Sequence, residues 1–207
     1  MRGIIDQQKQ YKGCTSDSRG AFEGIATLWD HSKWNCTSVN LHQHWIRTIL
    51  ENRIYNQTTI IYNIYAPNHY IEKECWWDDL KASIDGEINS NIIAAGDFNL
   101  ILHANEKRGG CFSPNPFRSH LENIIQDHEL VDVAPKNRQY TWSNCRLGNG
   151  NIMERLDKFL INVSFLSSFS VGYSSILSSS ASDHYPITLT LETHCPLGPI
   201  LFKYSPL

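Results

Sequence analysis

The pattern of hydrophobic and polar positions changes period repeatedly along the chain, which predicts alternating strands and helices. Its most informative part is residues 92–99, where Ile-Ile-Ala-Ala runs into Gly96, Asp97, Phe98 and Asn99. A short, continuous apolar run is typical of a strand buried on both faces. We expect Gly96 to allow a sharp turn as the chain leaves the sheet, which places Asp97 and Asn99 at the carboxyl end of the strand.

Other segments have the alternation or the composition of strands. We predict a turn into a strand over residues 20–29, and strands over 34–41, 44–50, 58–65, 140–142, 152–161 and 187–191. The strand over 58–65 stops at Pro67, because proline cannot donate to a ladder. Residues 1–20 are polar and poorly periodic and indicate no clear element.

Two segments have the spacing of amphipathic helices, with one apolar face each. The first apolar stripe is formed by Trp77, Leu80, Ile84 and Ile88. The second is formed by Phe117, Leu121, Ile124, Ile125 and His128, and it follows Pro116, which fits the first turn of a helix. Asn162 can cap a further short helix that runs through Phe169.

The length and composition fit a globular protein with a substantial core. The chain has 207 residues, of which 41% are hydrophobic and 11% aromatic. This length fits one large domain or two small ones, and no internal repeat or clear boundary divides it. We therefore predict one domain over residues 1–195 and a C-terminal tail over residues 196–207, which holds three prolines.

The charge and the cysteines exclude several classes of protein. The net charge is −3, which argues against nucleic-acid binding through bulk electrostatics but allows a local acidic metal site that faces a phosphate. No two of the six cysteines form a C-x-x-C pair, which argues against a zinc cluster. No apolar leader or membrane-spanning segment is present. We expect an intracellular protein with reduced thiols, no membrane association and no obligate protein partner.

Three polar clusters are interpreted as lying at strand ends: Asp97 with Asn99, Asp157, and Asp183 with His184. A carboxylate in an apolar strand is costly unless it is paired, and a histidine is the natural partner for Asp157. For each cluster, an alternative structural role without a catalytic function remains open. Asp97 and Asn99 can satisfy backbone groups of a turn, and Asp183 and His184 can cap an element. Asp157 can form a surface ion pair with a basic neighbour, Arg155 or Lys158.

Several motifs, in this order, resemble the endonuclease/exonuclease/phosphatase superfamily. They are Y-A-P-N at 65–68, G-D-F-N at 96–99, T-W at 141–142, R-L-D-x-F-L at 155–160 and S-D-H-x-P-I at 182–187. Two further segments, G-A-F-E-G-I-A-T-L-W-D at 20–30 and Y-T-W-S-N at 140–144, resemble the endonuclease domain of LINE-type (non-LTR) retrotransposons. Each motif alone is weak, but the ordered set spans residues 18–192.

The resemblance implies an α/β fold of the DNase I type. This is a four-layer sandwich of two mixed β-sheets flanked by helices, here lacking the first strands. It also implies hydrolysis of DNA phosphodiesters by in-line attack of water, with Mg²⁺ as the cofactor and Mn²⁺ as the alternative. A functional protein of this kind would be nuclear.

The resemblance also implies a role for each matching residue. Asp97 would act as the base or orienter of the attacking water, and Asn99 would help to hold that water. His184 would bind the scissile phosphate, with Asp157 behind it, and Asp183 would bind the metal. Tyr65 is expected among the catalytic residues, in contact with the phosphate, and Asn68, Thr141 and Trp142 are expected to bind the substrate. Apart from the resemblance, the net charge of −3 predicts that Lys107 and Arg108 also bind the substrate, as a local basic patch.

Two geometric expectations follow from these roles. Asp97, Asn99, Asp157, Asp183 and His184 should converge at one end of the sandwich. The Asp157 carboxylate and the His184 imidazole should lie within hydrogen-bond reach, about 2.6–3.2 Å between heavy atoms. Weak DNA binding would come from a local patch of Lys107, Arg108 and Arg118, which flank the loop after Gly96 and Asp97. The alternative is that this loop is merely solvated.

The sequence also departs from the family pattern. The family has a metal-linked Asn on its first strand and a Q-E pair on the next, and neither has a counterpart here. Glu23 stands where the retrotransposon group has Gly. These departures predict an amino-truncated chain that is weakly active or inactive. The alternatives are a non-catalytic retroelement remnant that keeps the fold, and a phosphatase or phospholipase of the same superfamily.

Overall fold

The computed structural model describes residues 10–16, 24–87, 90–179 and 182–192 as an α/β structure. Its strands are β1 (Tyr11–Ser16), β2 (Ile25–Asp30), β3 (Trp34–Leu41), β4 (Trp45–Asn52), β5 (Thr58–Tyr65), β6 (Ile92–Asp97), β7 (Lys107–Arg108), β8 (Leu130–Asp132), β9 (Trp142–Ser143), β10 (Met153–Glu154), β11 (Asp157–Asn162), β12 (Ser170–Ile176) and β13 (Ile187–Glu192). Its α-helices are α1 (Tyr70–Asp85), α2 (Arg118–Asp127) and α3 (Val163–Ser168). Short 3₁₀ turns cover Ala104–Glu106 and Gly148–Gly150.

The largest sheet has six strands in the order β3-β4-β5-β6-β11-β8. Strands β5 and β6 are parallel, and the other neighbours are antiparallel, so the sheet is mixed as predicted. The parallel pair requires a crossover, and helix α1 supplies it.

The central strand β6 is buried on both faces, which explains its unbroken apolar run. Ile92 and Ala94 join the larger core cluster, on the side covered by α1 and α2. Ile93 and Ala95 pack into a second cluster with residues of α3 and β13. Because side chains alternate along a strand, Asp97 continues the face of Ile93 and Ala95.

Within the described ranges, three smaller antiparallel sheets complete the fold, and two of them pack on this second face. They pair β1 with β2, β12 with β13, and β7 with β10 and β9. Strand β2 packs on β4 and β5, whereas β13 packs on β11. The prediction of mixed sheets flanked by helices is therefore confirmed, although the second layer consists of several short sheets rather than one.

Both predicted helical stripes are present. Trp77, Leu80 and Ile84 are buried on one face of α1, and Leu121 and Ile124 on one face of α2. Asn162 caps α3 as predicted, because its side chain accepts the backbone N–H of Phe165. No helix in the described ranges is long and apolar enough to cross a membrane.

Three local predictions are corrected by the structure. Strand β1 lies in the segment for which the sequence indicated no element. The strand predicted over 152–161 is split into β10 and β11, which lie in different sheets. Gly96 lies inside β6 rather than in a turn beyond it: its φ is 128°, and an added Cβ would meet the Ile64 carbonyl oxygen at 2.1 Å. Glycine is therefore required there for close strand approach.

Some predictions fall outside the described residues. They concern Ile88 on the first helical stripe, Glu23 and the turn before β2, and the boundary between the domain and the tail at residue 195.

Candidate active site

A row of three predicted site residues crosses the large sheet. Tyr65 at the end of β5 is the register partner of Asp97 at the end of β6, and Asp97 is the partner of Asp157 at the start of β11. Three strand termini thus bring together residues that lie up to 92 positions apart. The parallel pairing of β5 with β6 and the antiparallel pairing of β6 with β11 are what place all three at the same edge.

The segment after β6 is held in a tight conformation that fixes Asp97. The Asn99 backbone N–H donates to Asp97 Oδ1 at 2.8 Å, and the Asn99 side-chain amide donates to the Ala66 carbonyl at 2.7 Å. Asn99 has a φ of 46°, in the left-handed region that asparagine tolerates better than most residues. Its role in this geometry is to lock the carboxylate and the strand end behind it.

Thr141 positions the other carboxylate. Its hydroxyl accepts the backbone N–H groups of Leu156 and Asp157, each at 3.0 Å. The sequence predicts Thr141 as a substrate contact, but its side chain is fully buried, so the structure gives it a positioning role instead. The same two bonds divert the chain between β10 and β11, which explains why the predicted long strand is split.

His184 completes the group. Its Nδ1 lies 3.0 Å from Asp157 Oδ2, which confirms the predicted hydrogen-bond distance, and its Nε2 lies 3.9 Å from Asp97 Oδ2. A β-bridge to Trp142 holds the backbone of His184 in place. We call Asp97, Asp157 and His184 the cleft triad. Their ligand atoms all lie within 4.8 Å of one another.

The electrostatics of the triad favour the charged form of His184 and disfavour the charged form of Asp97. Burial raises the pKa of Asp97 to about 6, and the negative charge of Asp157 adds to the effect. Burial opposes protonation of His184, but its hydrogen bond to Asp157 and the nearby carboxylates outweigh it and raise the pKa of the imidazole. The group therefore contains two carboxylates and one cation, a deficit of positive charge in a mostly buried place.

The deficit of positive charge in the triad favours the binding of a divalent cation. Two carboxylates offer the hard oxygen ligands that Mg²⁺ and Mn²⁺ prefer, with water completing the coordination. A cation here would also offset the charge that raises the pKa of Asp97. The residues therefore fit such an ion, and the carboxylates of Asp97 and Asp157 would hold it.

Asp183, which the sequence predicts as the metal ligand, lies on the rim beside the triad. Its Oδ2 accepts the indole N–H of Trp142 at 2.9 Å, and this bond lowers the pKa of the carboxyl group. Metal binding by Asp183 stays a prediction.

The triad lies in a cleft of about 1050 Å³. Its walls include the predicted residues Tyr65, Asn68, Asn99, Trp142 and Asp183, so the structure brings these together with the triad. Lys107 and Arg108 are not among the lining residues. Lys107 instead forms an ion pair with Glu154, which does line the cleft.

Lys73 is a site residue that the sequence reasoning missed. It is a buried residue of α1, and its ammonium group donates to the Asn99 carbonyl at 3.1 Å. Burial lowers its pKa, and the charge of Asp97 partly offsets this. The sequence does contain a signal for this role. One helical spacing relates Lys73 to the apolar residues Trp77, Leu80 and Ile84, and a lysine on an apolar stripe needs a buried partner.

The fold resembles that of several solved structures. No protein-family model and no curated protein sequence matches the chain. The endonuclease domain of TRAS1, a telomere-specific non-LTR retrotransposon, superposes with a TM-score of 0.68 at 14% identity, covering 89% of this chain and 81% of that one. The AP endonuclease LMAP from Leishmania major gives 0.67 at 16% identity, covering 89% and 71%.

A third similar structure is a phosphatase. The mannosyl-6-phosphatase Bt3783 from Bacteroides thetaiotaomicron has a TM-score of 0.53 at 13% identity, covering 82% of this chain and 71% of that one. At these identities the likeness concerns the fold. The chain therefore has the endonuclease/exonuclease/phosphatase fold that its motifs predict, and its reaction has to be argued from the cleft.

Proposed function

We propose that this chain hydrolyses phosphodiesters and nicks DNA, as an endonuclease of the non-LTR retrotransposon kind. The observation that carries the proposal is the cleft triad, in which a buried carboxylate faces an imidazole held by a second carboxylate. The ordered motifs support the proposal, and so does the fold shared with two endonucleases.

The triad residues have complementary tasks in this reaction. Asp97 Oδ2, which faces His184 across the cleft, orients the attacking water or takes its proton. The raised pKa of His184 favours the charged form of its imidazole, which can bind a phosphate oxygen and stabilise the charge that develops there. Asp157 holds the imidazole in position. A divalent cation, when bound, would supply Lewis-acid stabilisation of the same charge.

The test is nicking of supercoiled plasmid DNA by the purified chain, with Mg²⁺, with Mn²⁺ and with EDTA. We expect nicking that requires the divalent cation. Because the sequence contains no Q-E pair, the rate should be low, by roughly three orders of magnitude relative to a chain in which that glutamate is supplied.

Two controls test whether nicking comes from the cleft triad and whether the substrate is a diester. Asp97→Ala and His184→Ala should each abolish nicking, whereas Asp79→Ala, at an exposed position of α1, should leave the rate unchanged. A phosphomonoester substrate tests the phosphatase alternative. Nicking that survives Asp97→Ala, or turnover of the monoester without any of DNA, would contradict the proposal.

A further inference from the structure

A second cavity, of about 400 Å³, lies beside the segment that connects β8 to β9. Apart from Ala134, its exposed lining is polar and basic, and comprises His103, Asn105, Lys136, Asn137, Arg138 and Gln139. We call residues 136–138 the basic strap. The proposed reaction does not use this segment.

The two cations of the strap are available to a ligand. Lys136 and Arg138 are exposed, and neither forms an ion pair with a carboxylate of the described residues. Lys136 Nζ lies 5.7 Å from the ring centre of Tyr173 and donates weakly to the Gly172 carbonyl at 3.4 Å. By contrast, Lys107 is paired with Glu154, and Arg118 is paired with Glu122.

The backbone of the strap is fixed in place. The Lys136 N–H donates to the Ser174 carbonyl at 3.0 Å. The Asn137 side chain makes two bonds to the backbone of Ile176, donating at 2.8 Å and accepting at 2.9 Å. The cations therefore project from a rigid base, so ordering them on a ligand costs less conformational entropy.

The strap also adjoins the active-site cleft. The Arg138 guanidinium lies 5.7 Å from the ring centre of Tyr185, the residue that follows His184. The Tyr185 N–H is bonded to the Thr141 carbonyl at 2.7 Å, which ties this contact to the segment that positions Asp157. The cleft itself carries the carboxylates of Asp97, Glu154, Asp157 and Asp183, so it repels a polyanion.

We propose that Lys136 and Arg138 form a DNA-backbone surface that holds phosphates next to the one cleaved in the cleft. This inference rests on the proposed function. Lys136 and Arg138 fit this role better than Lys107 and Arg118, because an exposed and unpaired cation can exchange its counterions for phosphates, whereas Lys107 is paired with Glu154 and Arg118 with Glu122. Arg108 is also exposed and forms no ion pair among the described residues, so it is left unchanged in the control variant.

The experiment compares two double variants, Lys136→Ala/Arg138→Ala and Lys107→Ala/Arg118→Ala, for binding to random-sequence duplex DNA in EDTA over a range of salt concentrations. The strap variant should bind roughly tenfold more weakly, and its slope of log K against log[salt] should fall by about 1.8, the value for two lost phosphate contacts. The Lys107/Arg118 variant, which removes two paired cations, should resemble the parent chain.

A second measurement separates this inference from the proposed function. Hydrolysis of bis(p-nitrophenyl) phosphate needs the cleft but no extended backbone surface, so the strap variant should hydrolyse it at the parent rate. If the parent hydrolyses this diester but the strap variant keeps its DNA affinity and salt slope, the strap is not the surface. A larger loss in the Lys107/Arg118 variant would also overturn the inference, and so would a parent chain that binds no DNA.

Discussion

Two groups of buried charge lie on opposite faces of β11, and they differ in charge balance. One is the cleft triad. The other, which we call the interior network, consists of Glu106, Asp132, Arg155 and Lys158. The adjacent residues Asp157 and Lys158 belong to different groups, because successive side chains of a strand point to opposite faces.

The interior network is balanced. It has two carboxylates and two cations, and Arg155 contacts both Glu106 and Asp132. Burial disfavours the charged form of Glu106, but Lys158 and Arg155 outweigh it and lower the pKa of its carboxyl group. Burial lowers the pKa of the Lys158 ammonium group, and its contact with Glu106 opposes that shift. Because the formal charges of the network cancel, it has no unmet charge to offer a ligand.

The cleft triad is unbalanced and open to a cleft. Its two carboxylates share one imidazole, and the pKa of Asp97 rises to about 6 as a result of burial and of the neighbouring charge. The comparison indicates that net charge, more than burial, separates a structural cluster from one suited to bind a cation or to move a proton. It also shows that the alternative pairing of Asp157 with Arg155 or Lys158 is wrong, because both cations serve the interior network.

The largest expected effect of breaking either group is on catalysis through Asp157. In Asp157→Asn the side chain keeps its shape but loses the charge that holds the His184 imidazolium. We expect nicking to fall by about 10³–10⁴-fold, as when the aspartate of a Ser-His-Asp triad is replaced. The rate should be measured with a chain that carries the family's upstream glutamate, so that the parent rate is high enough to compare.

The control for this variant is the free energy of unfolding, which should change by no more than about 1–2 kcal/mol. In addition, the pKa of His184, followed by NMR of the imidazole protons, should fall. An unchanged nicking rate would remove Asp157 from the mechanism.

The second expected effect is on stability through Glu106. Glu106→Gln leaves Arg155 and Lys158 buried with a single carboxylate, which should destabilise the fold by about 3–5 kcal/mol. Urea denaturation measures the loss. Activity per folded molecule should be retained, because the interior network lies on the far face of β11 from the cleft.

The matched control for Glu106→Gln is Glu122→Gln, which breaks an ion pair of partly exposed side chains with Arg118. That change should cost less than about 1 kcal/mol. Equal losses for the two variants would mean that the interior network gains nothing from its burial.

Much of the cleft could be predicted from sequence because its residues follow apolar strands. The apolar run before Asp97 and the placement of Asp157, Asp183 and His184 at strand ends predict their convergence. Lys73 could also have been predicted as a buried site residue, since it occupies an apolar helical stripe.

The features that could not be predicted depend on contacts between residues that lie far apart in the sequence. Lys107 meets Glu154 across 47 positions, and Glu106 meets Lys158 across 52. Strand β1 is a strand only because β2 pairs with it. The split after Glu154 depends on the hydroxyl of Thr141, which captures two backbone N–H groups. The local periodicity of hydrophobic residues gives no information about these long-range contacts.

The third expected effect is a pH dependence of stability caused by Asp97. Its pKa is about 6 in the folded state against 3.8 as the reference, a difference of about 2 units, or at most about 3 kcal/mol. Between these values the folded state binds the proton and the unfolded state does not, so stability falls as pH rises from about 4 to 6 and then levels off.

The measurement is the free energy of unfolding in EDTA over this pH range, for the parent chain and for Asp97→Asn. The variant lacks the titration, so its stability relative to the parent should increase across the window. His184 contributes little in this window, because its reference pKa of 6.5 lies above it and folding raises the pKa further. A constant difference between the two chains would show that Asp97 ionises normally.

The smallest expected effect is on positioning through Lys73. Lys73→Met keeps most of the buried volume but removes the bond to the Asn99 carbonyl and the positive charge near Asp97. We expect kcat to fall by roughly tenfold with KM nearly unchanged, because a bond of this kind is worth about 1–2 kcal/mol. The acidic limb of the rate–pH profile should move to higher pH, since the Lys73 charge lowers the pKa of Asp97.

Two comparisons separate positioning from packing. Lys73→Arg restores a cation and should recover part of kcat and the original pH profile. Lys81→Met, on the same helix, removes surface pairs with Asp85 and Asp127 and should change neither quantity. A Lys73→Met chain that is less stable but keeps the parent kcat and pH profile would mean that Lys73 only fills space, and that the triad alone sets the pKa of Asp97.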